Sequence, residues 1–134
     1  IGRLKKEKLL IAKKAKNIEE IKPDFNGRFL LIKRLYNIYS LYDCGLIDFI
    51  KKYYEMPQSI ILFGSYSNGT DSEKSDTDIA VLSNKKTAPD FKKFEVKLAR
   101  KVNIHLVDMD KTEKEFKNSL ANGIILEGFA EILK

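Results

Sequence analysis

Cysteine is almost missing from this 134-residue chain, with Cys44 the only one. It cannot close an internal disulfide and has no Cys or His partner at metal-ligand spacing, so it reads as a small buried residue. Long apolar runs are missing too. Ser59 to Phe63 and Gly123 to Leu126 fall far short of the roughly 20 residues that cross a bilayer, and no signal-peptide pattern opens the chain. A soluble cytoplasmic protein without a membrane partner is expected. Neither an internal repeat nor a low-complexity tract is present, and with 43% hydrophobic residues the chain has no composition signature of disorder and can bury one real core. The first residue is Ile1 rather than Met, which reads as a processed or excised chain with something ahead of it.

Acidic residues are scarce at the start. Residues 1 to 22 hold eight Lys and Arg (Arg3, Lys5, Lys6, Lys8, Lys13, Lys14, Lys16, Lys22) against Glu7, Glu19 and Glu20, an excess of five within a net charge of +6. The rest of the chain is almost neutral. Such a basic segment suits either DNA contact through phosphate neutralisation or an ordinary solvated helix face.

What is present falls into two units, a helical extension over residues 1–56 and a core over 57–134. Leu4, Ile11, Ala15 and Ile18 lie on one stripe of a helix over 3–20. After Asn26-Gly27, Phe29, Ile32, Leu35, Tyr36, Tyr39 and Tyr42 recur at three and four residues, a second helix ended or kinked by Gly45. Leu46 to Glu55 is a third, stopped by Pro57. From Ser59 the period changes. Ser59 to Phe63 reads as a strand covered on both faces, and Asp76 to Leu82 as another, with Ile79 and Val81 on one face and Asp76, Asp78, Ala80 and Leu82 on the other. Thr87-Ala88-Pro89-Asp90 resembles a capping box opening a helix. Val102 to Val107 is expected to be a third strand, Asp110 to Leu120 a capped helix, and Ile124 to Leu133 a last short helix.

The chemistry concentrates in FGSYSNGTDSEKSDTDIAVL, Phe63 to Leu82. Alternation sends Asp76 and Asp78 to one face with their carbons about 7 Å apart, close enough to share one or two divalent ions. Gly64 lets a phosphate approach the backbone, and Ser65 with neighbouring N–H groups can hold anionic oxygens. Metal on one strand and phosphate on the adjoining turn describe a nucleoside triphosphate site. The competing reading is a polar turn whose aspartates cap backbone N–H groups.

Ile61-Leu62-Phe63-Gly64-Ser65 followed by Ser75-Asp76-Thr77-Asp78-Ile79 resembles the signature of the minimal nucleotidyltransferases of the DNA polymerase β superfamily. The resemblance implies an α/β (α+β) fold, a mixed sheet with helices on one side preceded by an N-terminal helical segment. It implies a triphosphate on Gly64 and Ser65, Mg²⁺ (or Mn²⁺) on Asp76 and Asp78, and transfer of a nucleotidyl group to an acceptor, a protein or a nucleic-acid end among the candidates. Arg28 to Phe49 also resembles archaeal members that carry a winged-helix DNA-binding domain ahead of this region. A homo-oligomer stays open.

Two positions depart from the family pattern. Asn68 stands where a basic residue is common. On the third strand, where active transferases present another carboxylate, one alignment puts His105 and a shift of two residues puts Asn103. Asp108 is nearby, but alternation groups it with Val102, Ile104 and Leu106 on the other face. A neutral imidazole can accept a proton at pH 7, so His105 is either the catalytic base or a polar residue at a cleft edge. The whole chain is accordingly either a Mg²⁺-dependent transferase or a degenerate nucleotide-binding or scaffold module.

Overall fold

The computed structural model describes residues 27–131. The helix expected over 3–20 and the basic segment 1–22 lie outside the described residues. The elements in chain order are α1 (Gly27–Asp43), α2 (Leu46–Tyr53), β1 (Ser59–Phe63), α3 (Ser65–Asn68), β2 (Thr77–Leu82), α4 (Lys92–Leu98), β3 (Val102–Leu106), α5 (Lys114–Ala121) and β4 (Ile124–Gly128).

The four strands form one mixed sheet in the order β3-β2-β1-β4. β1 runs antiparallel to both β2 and β4, whereas β2 and β3 are parallel. A parallel pair needs a crossover, which α4 supplies. Every residue of β1 is buried, as its continuous apolar run requires of a central strand covered on both faces.

Alternation sorts the core into two layers. Ile60, Leu62, Ile79, Val81 and Val102 pack with Leu41 of α1, Leu46, Ile47 and Ile50 of α2, Tyr54, and Phe91 and Phe94 at α4. The N-terminal helices and the sheet thus share one hydrophobic cluster. On the opposite face, Ile61, Phe63, Ala80 and Leu82 pack with Val107 and Leu120, with Phe116 of α5 at the margin. Ile47, Ile50, Ile60, Ile61, Leu62 and Ile79 are fully buried, and each such side chain contributes about 1.5–3 kcal/mol relative to exposure.

One expected element is corrected. The segment Ile124 to Leu133 does not open with a helix; Ile124–Gly128 is the edge strand β4, paired with Ser59 to Leu62. A short apolar run is compatible with either state, and the free edge of β1 decides, because its buried backbone groups need partners. Gly128 turns away at φ 78°, and the Tyr42 hydroxyl donates to the Leu126 carbonyl at 3.1 Å. The capping box expected at Thr87 does not form either. Its carbonyl instead accepts from the Tyr54 hydroxyl at 2.9 Å, and α4 begins at Lys92, whose N–H donates to Asp90.

Candidate active site

The two parallel strands bring the candidate residues together on the face opposite α1, α2 and α4. In the register, Asp78 lies beside Phe63 on one side and Asn103 on the other, and His105 lies beside Ala80. Asp76 precedes β2 and shares the parity of Asp78, so both carboxylates rise from the same face, as alternation predicts. Thr77, between them, points the other way and is buried. Its N–H donates to the Lys101 carbonyl at 2.8 Å, which joins the starts of β2 and β3.

Asn103 occupies the place between the acids. Its Nδ2 donates to Asp76 Oδ2 at 2.9 Å and to Asp78 Oδ1 at 3.2 Å. Of the two alignments considered for the third strand, the register therefore puts Asn103 against both aspartates. His105 stands one alternation further along, with Nε2 3.5 Å from Asp78 Oδ1 and its side chain 39% exposed. Its ring meets Phe63 edge-on at 5.1 Å and Phe116 at 5.7 Å, and those two phenylalanines meet edge to face. The imidazole is thus held by apolar walls beside the acids. Asp108 is exposed on the loop after β3 and accepts the Asp110 N–H at 3.1 Å.

Gly64 closes the opposite wall. Its backbone has φ 77° and ψ −166°, a region that side chains rarely tolerate. A Cβ there would stand 2.9 Å from Asp78 Oδ2, so glycine leaves a cradle directly against one carboxylate. Ser65 follows, half-buried at the start of α3. The turn is braced from behind, because the Ser67 hydroxyl and N–H both donate to the Gly64 carbonyl, at 2.7 and 3.1 Å. Asn68 is turned into its own loop. Its Oδ1 accepts from the N–H and the hydroxyl of Thr70, an Asx turn.

Among the described residues no group of three or more His, Cys, Asp or Glu side chains is arranged to hold a metal ion. The donor set is two carboxylates with one amide. An amide carries an oxygen as well as its NH₂; here the Asn103 nitrogen faces both aspartates, so its oxygen would reach an ion shared by them once the amide turned over. Two carboxylates beside an open glycine cradle, with an amide whose oxygen could turn towards them, suit Mg²⁺ or Mn²⁺, with one fewer negative charge than three acids would supply.

Phe116 and the Asp71 cluster described below were not legible as site components. The phenylalanine reads as an ordinary apolar position of α5. The cluster had one signal, since Lys33 and Asn37 stand four residues apart on the helix face that carries Phe29 and Leu41.

A four-stranded mixed sheet with a glycine turn beside the start of β2 agrees with the nucleotidyltransferase class of fold. Residues 45–128 match the family model described as polymerase beta, nucleotidyltransferase, and the chain belongs to that family. No curated protein matches the chain.

Proposed function

We propose that this protein binds a nucleoside triphosphate with Mg²⁺ (or Mn²⁺) and transfers the nucleotidyl group to an acceptor hydroxyl. The observation that carries the reading is the convergence of Asp76, Asp78 and Asn103 on the face against which Gly64 opens. Asp76 and Asp78 would hold the ion, and the Asn103 amide would turn its oxygen towards it. When bound, the ion supplies positive charge that offsets the triphosphate and the charge developing during transfer. Gly64 admits phosphate oxygens to the backbone, and Ser65 offers a hydroxyl.

In the transfer, the acceptor oxygen forms a bond to the α-phosphorus and pyrophosphate leaves. The acceptor's proton goes to His105 Nε2. The packing of His105 against Phe63 and Phe116 fixes the ring, which favours a defined path for that proton. Acceptors in keeping with this chemistry are a protein side chain, a nucleic-acid end or a small molecule. The basic segment 1–22 is a candidate DNA contact.

A second reading is favoured by one feature. Asn103 stands where an active transferase is expected to carry an acid, which supports a module that binds nucleotide without transferring it. Incubation with each labelled nucleoside triphosphate, Mn²⁺ and candidate acceptors separates the two. Label transfer that disappears in Asp76→Ala and Asp78→Ala supports transfer, and calorimetric binding without label supports the second reading. Undiminished transfer in both variants rejects the site itself.

A further inference from the structure

The loop from Gly69 to Ser75 joins the Gly64 turn to Asp76, and it is held by a buried polar knot. Asp71 is the centre of that knot, with a side chain 0% exposed. Its Oδ1 accepts from Asn37 Nδ2 at 2.8 Å. Its Oδ2 meets Lys33 Nζ at 3.4 Å and Arg100 Nη2 at 3.1 Å. The same Asn37 amide donates to the Tyr66 carbonyl at 2.9 Å, and Arg34 Nε donates to the Ser67 carbonyl at 3.2 Å. One face of α1 therefore grips both α3 and the loop. Arg100, three residues before Asn103, also donates to the Glu73 carbonyl at 3.2 Å.

We propose that Asp71 is a positioning residue for the paired aspartates, Asn103 and the Gly64 turn, acting through α1 and Arg100 without touching them. The proposal rests on the reading of that site as one for a metal ion and a triphosphate. A single carboxylate here ties four parts of the chain together: α1, α3 behind Gly64, the loop before Asp76, and the turn before Asn103. Those last three carry the site. Desolvating a carboxylate and its cationic partners is expensive, and an apolar cluster of similar volume is often as stable. What an apolar cluster lacks is direction. Charge-assisted bonds from three donors fix the loop's position and direction, as groups that orient metal ligands do.

The test compares the native protein with Asp71→Asn, Arg100→Lys and Ile47→Ala, the last a core change in α2 away from the site. Mn²⁺ affinity is measured by electron paramagnetic resonance, the Asn103 side-chain amide by ¹⁵N-resolved NMR, and Tm by circular dichroism. Asp71→Asn and Arg100→Lys should each weaken Mn²⁺ binding by about tenfold or more, the usual effect of losing a group that orients ligands. Both should also move the Asn103 amide resonances. Ile47→Ala should lower Tm while leaving affinity and resonances as they were. Mn²⁺ affinity within about twofold of native in Asp71→Asn, with unmoved Asn103 resonances, overturns the proposal. So does an equal loss of affinity in Ile47→Ala. If Asp71→Asn does not fold, Arg100→Lys decides on the same criteria. A native protein that binds no Mn²⁺ refutes the metal site instead, and the Asn103 resonances still decide whether Asp71 positions that amide.

Discussion

Asn103→Asp puts the acid expected on the third strand into the place the amide now holds. The native Nδ2 stands 2.9 Å from Asp76 Oδ2 and 3.2 Å from Asp78 Oδ1. A carboxylate oxygen there converts two donated hydrogen bonds into two like-charge contacts at about 3 Å. Each contact costs about 1.4 kcal/mol at the dielectric of water and about 5.5 kcal/mol at an effective value of 20. Asp78 is 29% exposed, so solvent screens the repulsion towards the lower figure, and uptake of a proton limits it further. A loss of about 2–4 kcal/mol in the metal-free protein follows, which lowers Tm by roughly 5–15 °C in a domain of this size. Mn²⁺ reverses the sign, because a third carboxylate then binds the ion instead of repelling two neighbours.

The pH dependence has a definite direction. Like-charge neighbours raise the folded-state pKa of a carboxyl in the variant above its unfolded value. Stability is then fully retained below the unfolded value of about 4 and is lost as pH rises through the raised folded value. In EDTA the variant should approach the native Tm at acid pH and fall away from it towards pH 8. Thermal unfolding by circular dichroism, in EDTA and in Mn²⁺ at several pH values, reads both effects. Equal Tm values for variant and native in EDTA at pH 8, or a metal-induced rise no larger than the native one, would refute the convergence of these three side chains.

Other outcomes follow from the same geometry. Gly64→Ala places a methyl 2.9 Å from Asp78 Oδ2 at φ 77°; it should cost about 1–3 kcal/mol from the backbone alone and abolish Mn²⁺-triphosphate binding, and calorimetric affinity equal to native contradicts the cradle. His105→Gln should lower the transfer rate by about 10²-fold or more while leaving nucleotide affinity intact; an unchanged rate makes His105 a polar residue at the cleft edge. Ile61→Ala removes a fully buried side chain and should cost about 2–5 kcal/mol in urea unfolding. Burial raises the pKa of the Cys44 thiol, so iodoacetamide at pH 8 should alkylate it more slowly in the folded chain than in urea, and equal rates would contradict that burial.

Much of the sheet was legible because period and composition speak clearly there. Ile60 to Phe63 and Ile79 to Leu82 are short, partly β-branched runs bounded by turn residues, which favours strands over a buried helix, and aspartates two apart on a strand share a face. The helices read from Phe29 to Tyr42 and from Leu46 to Glu55 followed from apolar spacing around Gly45, and the structure has them as Gly27–Asp43 and Leu46–Tyr53. Ile124 to Gly128 was misread because its short apolar run fits either state, and only the unpaired edge of β1 chose between them. The third-strand alignment was open for a related reason. His105 and Asn103 share a face, and which of them meets the acids depends on how far β3 slides along β2.

The sequence by itself determined where the candidate site lies: a glycine turn, ten residues, and two carboxylates on one face at the start of an apolar strand. Those features are local, set by alternation and by the backbone freedom of glycine. Only the tertiary structure decided that an amide bridges the acids, that His105 is walled by Phe63 and Phe116, and that Asp71 is buried among groups from α1 and Arg100. Each of these depends on strand register or on contacts between segments distant in the chain, and a one-dimensional pattern carries no information about either.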